Sequence, residues 1–140
     1  MADLSITDNP VFSPTMEQIT NKHRGAPDTF NSRYQVLLDN DNHLKKVTDR
    51  AVHITSVTIP ASGWSATAPY TQTVAVEGLT AGDNPLLVRA IPDGATPEQV
   101  KAYNKAFGMI DDGDTVDGQA VFKCYNKKPS IDITVGLKGV

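Results

Sequence analysis

Three groups of residues in this 140-residue chain have the types and spacing from which chemistry could arise. The stretch Asp111-Asp112-Gly113-Asp114-Thr115-Val116-Asp117-Gly118 gathers carboxylates and glycines, and oxygens presented in that way suit a hard cation such as calcium. Its spacing does not follow the EF-hand ligand order. Asp-Gly pairs are also what tight turns demand where φ is positive, so a plain turn is the favoured reading. Trp64, Tyr70 and Tyr103 form the second group, because aromatic faces stack on the C–H faces of saccharides. Trp64, in a Gly-Trp-Ser loop, is the most exposed-looking of them, and Trp64 with Tyr70 makes the candidate ligand-binding pair; a core or corner aromatic is nonetheless the favoured reading. His23, His43 and His53 are the third group. None has a second ligand at i, i+4, so surface or interface roles are expected and no metal site.

Catalysis is not expected. No Gly-x-Ser-x-Gly elbow supports a serine nucleophile, and nothing selects the facing carboxylates that glycoside hydrolysis requires. Phosphate loops, dinucleotide fingerprints and Cys-x-x-Cys pairs are absent, so no cofactor is implied. The single cysteine, Cys124, excludes an intramolecular disulfide, and its place in Ala120-Val121-Phe122-Lys123-Cys124-Tyr125 reads as an inert thiol packed on a strand. A net charge of -3 offers no basic surface for nucleic acid or anionic lipid. No apolar run is long enough to span a membrane, and Met1-Ala2-Asp3-Leu4-Ser5 lacks the regions of a signal peptide, so a protein made in a cytoplasm is expected.

The elements that must position these groups change character near Arg50. Residues 1–27 read as an arm and a short helix. Leu4, Ile6, Val11 and Phe12 are its apolar residues and the candidate anchoring contacts, with Pro10 and Pro14 preventing a continuous helix. Ser13 as N-cap and Pro14 at the first helical position then start a short helix in which Met16 and Ile19 share a face, ending by Gly25-Ala26-Pro27. Asp28 caps a second helix from about Thr29 to Asp49, a rod of about 30 Å within a stalk at 28–50. Phe30, Tyr34, Leu37, Leu38 and Leu44 lie on one side of it, with Val47 near. Phe30, Leu37 and Leu44 recur every seven residues, and Asp41 falls at the edge of that seam. So thin a stripe either packs on the chain's own β domain or associates with copies of itself; self-association is the favoured expectation.

From Val52 the pattern becomes period two, the signature of strands with one buried face. Residues 51–140 are expected to form a β-sandwich-like head with strands at 52–59, 70–76, 85–91, 115–125 and 131–137. One helix interrupts them. Thr96-Pro97-Glu98 starts it, Val100, Tyr103, Ala106 and Phe107 form its buried stripe, and Gly108 ends it. The fold class is therefore mainly β with helices: an extended arm, a coiled-coil-like stalk and a β head.

The run Phe30-Asn31-Ser32-Arg33-Tyr34-Gln35-Val36-Leu37-Leu38-Asp39-Asn40-Asp41 resembles the helical segment near the N-terminus of small tail-fibre, baseplate and head-fibre proteins from phages and prophages of Gram-positive hosts. The head is similar to theirs as well, in Val57-Thr58-Ile59-Pro60 before the Trp64 loop, in Tyr70 to Leu79, in Thr80 to Pro85, and in the ending Lys128-Pro129-Ser130-Ile131-Asp132-Ile133-Thr134-Val135. The likeness covers most of residues 28–140 and carries no catalytic motif. It implies a non-enzymatic virion component, a homotrimer whose arm docks on capsid or tail and baseplate proteins. The alternative is a carbohydrate-binding module in which Trp64 and nearby loops grip a host cell-surface glycan.

Overall fold

The computed structural model describes residue 7, residues 11–16 and residues 27–140. The chain divides into two compact units, Met1–Arg50 and Ala51–Val140, and the division falls at the change of sequence texture. Helix α1 (Pro27–Val52) is longer at both ends than its apolar periodicity predicts. Asp28 lies inside its first turn and is not its cap. At the other end, β-branched Val52 predicts a strand, yet pairing begins only at Ile54, which stands opposite Lys138. Without a strand partner, residues 50–52 continue the helix, because β propensity is realised only against a neighbour. The short helix expected from Ser13 is absent over residues 13–16; its remainder, with Ile19, lies outside the described residues. The Ser13 hydroxyl donates to the Thr15 carbonyl at 2.7 Å and so caps nothing.

The second unit holds six strands and one further α-helix: β1 (Ile54–Ile59), β2 (Tyr70–Ala75), β3 (Leu86–Arg89), α2 (Pro97–Phe107), β4 (Asp112–Val116), β5 (Gln119–Cys124) and β6 (Ile133–Lys138). They form two three-stranded sheets, β1-β6-β3 and β2-β5-β4, antiparallel throughout. The two sheets and α2 supply one core. From the first come Val57, Ile59, Ile133, Val135 and Leu137; from the second Ala120, Phe122 and Cys124; from α2 Tyr103 and Ala106. On the other face of β6, Gly136 is squeezed between Ile54 and Val88, where a Cβ would lie 2.7 Å from a methyl of each. Any side chain there would displace the Ile54 and Val88 side chains.

The strand expected over 115–125 is in fact a hairpin, and most of the presumed acidic loop is its first strand. Aspartate and glycine are poor strand formers, but β4 is held by its neighbour: Asp112 stands opposite Lys123, and Gly113 opposite Phe122. The two-residue turn Asp117-Gly118 places Gly118 at φ 75°, where only glycine is unstrained. Helix α2 is the element whose start was written most plainly. Thr96 and Gln99 form a reciprocal capping box, the Thr96 hydroxyl accepting from the Gln99 N–H at 3.3 Å and the Gln99 carbonyl from the Thr96 N–H at 2.8 Å. Tyr103 fastens this helix to the first sheet: its hydroxyl accepts from the Ala90 N–H at 2.9 Å and donates to the Thr134 carbonyl at 2.7 Å. Tyr103→Phe strands both backbone groups in a half-buried place, and a loss of about 1–3 kcal/mol is expected. Urea unfolding of the full chain measures it; an unchanged midpoint would refute the bridge.

Candidate functional site

The residues proposed for self-association lie along α1, and the structure leaves several of them uncovered. Tyr34, Leu37 and Leu44 are 57%, 47% and 52% exposed, while Phe30 and Leu38 are half-buried. Water meets an apolar line here, and each side chain, about half exposed, forgoes roughly half of the 1.5–3 kcal/mol that full burial supplies. Val47, at 55% exposure, widens the line near the end of the helix.

Another side of α1 carries the arm. The Ser13 N–H donates to the Asn40 side-chain oxygen at 2.8 Å, and the Asn40 amide returns a bond to the Ser13 carbonyl at 3.0 Å. The Thr7 N–H reaches Asp39 at 3.3 Å, and the Phe12 and His43 rings lie 6.0 Å apart. At 100° per residue, Asp39, Asn40 and His43 sit on average about 110° around the helix from Phe30, Leu37 and Leu44. The described contacts of the arm therefore fall beside the apolar line and not on it. Of the candidate anchoring residues, Val11 is 81% and Phe12 44% exposed, and Leu4 and Ile6 lie outside the described residues.

The structure decides between the two readings of Trp64. It is 6% exposed, a core residue as the favoured reading had it, and not the surface platform of the alternative. Its loop is drawn inward by backbone bonds: the Ser65 N–H to the Thr71 carbonyl at 3.0 Å and the Thr71 N–H to the Ser65 hydroxyl at 3.0 Å. Tyr70 is half-buried, and the Lys128 ammonium, bonded to the Ser65 carbonyl, lies 5.2 Å from the centre of its ring. Neither Trp64 nor Tyr70 thus offers an open aromatic face. The indole N–H of Trp64 and the side-chain oxygen of Gln72 are both buried without a hydrogen-bond partner, a polar defect in the core that no local sequence pattern announces. Gly63 admits the Gln72 side chain, for a Cβ at that position would collide with it.

The acidic residues are mostly engaged by their own chain. Asp111 accepts from the Tyr125 N–H at 2.7 Å and Asp117 from the Ala81 N–H at 2.9 Å. Asp114 is bonded to Lys123, whose ammonium is also 3.9 Å from Asp112. The hydrogen bond from Asp114 raises the Lys123 pKa, and the charges of Asp114 and Asp112 add to it, against an opposing effect of desolvation. Among the described residues no group of three or more histidine, cysteine, aspartate or glutamate side chains is placed to hold a metal, and no helix is long and apolar enough to cross a membrane. His43 faces the arm, His53 is exposed, and His23 lies outside the described residues.

No family model matches this chain, and neither does any curated protein or solved structure.

Cys124 is fully buried on β5. Burial, helped by the charge of Asp111, pushes its thiol from an ordinary 9.0 up to about 11. The folded state thus holds this proton more tightly than the unfolded chain. The resulting stability is complete below pH 9.0 and is lost as pH rises towards about 11. Iodoacetamide at pH 8 is expected to leave the native thiol unmodified and to label it fully in denaturant; rapid native labelling, read by mass spectrometry, would show an accessible thiolate instead.

Proposed function

We propose that this chain is a non-enzymatic structural subunit of a phage particle, a short fibre or decoration protein. Copies join as a homotrimer through a coiled-coil stalk built on α1. The arm attaches the assembly to capsid or to tail and baseplate proteins, and the six strands, packed as a sandwich-like head, point outward and can aid host attachment. The observation that carries this reading is the uncovered line of Tyr34, Leu37 and Leu44 on α1. A helix needs tertiary or quaternary packing for most of its stability in water, and that line is where a second and third helix would supply it. The particle itself comes from the resemblance of residues 28–140 to small phage appendage proteins. The alternative of a glycan-binding module resting on Trp64 loses its support with the burial of that side chain.

Light scattering coupled to gel filtration at micromolar concentration is expected to give three times the chain mass. Leu37→Lys combined with Leu44→Lys is expected to give a monomer with the head still folded, because the changes lie in the other compact unit. A wild-type monomer would sink the trimer. Removing residues 1–13 is expected to preserve the head and the oligomer yet abolish incorporation into particles; normal incorporation would rule out anchoring by the arm.

A further inference from the structure

Strand β3 lies at an edge of one sheet and β4 at an edge of the other, and both border a cavity of about 370 Å³. Its apolar lining includes Leu87, Ile110, Phe122 and Leu137, and Phe122 and Leu137 belong to the core itself. The register explains the space. On β4, the residues opposite buried Phe122 and Ala120 are Gly113 and Thr115. Gly113 has no side chain, and the Thr115 hydroxyl is turned to the Asp83 carbonyl at 2.8 Å. The alternate positions, Asp112 and Asp114, fall on the other face beside Lys123. Asp83 and Asp111 also line the cavity, their carboxylates accepting from the Thr80 and Tyr125 N–H groups, so the edge as a whole is acidic.

We propose that this edge docks an extended segment of a partner protein in which apolar residues alternate with lysine or arginine. A strand added to β4 places successive side chains on opposite faces. Those on the core side enter the cavity, and those on the other side meet Asp112 and Asp114. Charge selects the occupant. Two copies of this edge would set aspartates against each other, so the same residues that admit a basic strand turn away a second copy of the chain. All the groups involved belong to the Ala51–Val140 unit, so the inference stands apart from self-association through α1.

The full-length chain, isotope-labelled, is titrated with a short synthetic peptide alternating lysine and valine, and in parallel with a peptide of the same composition arranged in two blocks. Saturable NMR shifts at Gly113, Thr115 and Leu87 are expected with the alternating peptide and markedly weaker ones with the block peptide. Asp112→Asn combined with Asp114→Asn is expected to weaken binding about tenfold, two lost cross-strand charge pairs. Leu87→Trp, which fills the cavity and leaves the charge alone, is expected to weaken it as well, with unchanged amide signals in α2 showing that the unit is folded. Equal binding of the block peptide, unaltered affinity in the aspartate variant, or no shifts at millimolar peptide would overturn the proposal. Shifts of the same amides on concentrating the chain alone would assign the edge to a second copy and overturn it too.

Discussion

The second unit depends on two central strands that bury alternate residues in one shared core. On β6 these are Ile133, Val135 and Leu137; on β5 they are Ala120, Phe122 and Cys124. Each strand is flanked on both sides, so its backbone groups are paired while one face is dry. Much else follows from that arrangement. Cys124 holds its proton because no water reaches it, Gly136 has no side chain because two neighbouring strands close over it, and Tyr103 ties α2 to the sheet through the backbone of β6. Charged residues collect where pairing stops, and Asp112 and Asp114 occupy an edge strand that β5 alone holds in place.

Helix α1 is a different case. Among the described residues, the arm meets it through polar contacts to Asp39 and Asn40 and the Phe12–His43 ring pair, which fix a direction for the arm. A net hydrogen bond contributes about 0.5–1.5 kcal/mol, less than one well-buried leucine. The described arm contacts leave Tyr34, Leu37 and Leu44 about half exposed.

What was legible in the sequence was local. Helix α2 could be read because Thr96, Pro97 and Glu98 carry its start within three positions, and β1, β2 and β6 because alternation survives in them. What was harder to read shares a cause, a partner that the local run does not show. The exposed alternative for Trp64 arose because a Gly-Trp-Ser run has no local reason to be buried; the bonds between Ser65 and Thr71 and the core beneath hold it in. Ser13 looked like a cap, but Asn40, 27 residues on, takes its backbone. Residues 112–116 read as a turn because Asp and Gly favour turns, and only the register with β5 makes them a strand. The edge cavity was invisible for the same reason, since it depends on which β4 residue faces Phe122.

The line on α1 also has an internal grammar. Counting by heptads from Phe30, one set of positions holds Phe30, Leu37 and Leu44, and the interleaved set holds Tyr34, Asp41 and Thr48. Polar residues at one of the two seam positions lower the strength of a coiled coil while narrowing its register and number of chains. On the reading proposed above, the stalk is then built for specificity at modest affinity. Such a seam closes readily when several copies are held side by side at one attachment point, because the second and third contacts become intramolecular. On the same reading a weak seam and a separate anchoring arm would be complementary: the arm would supply proximity, and the helix would convert proximity into a defined assembly.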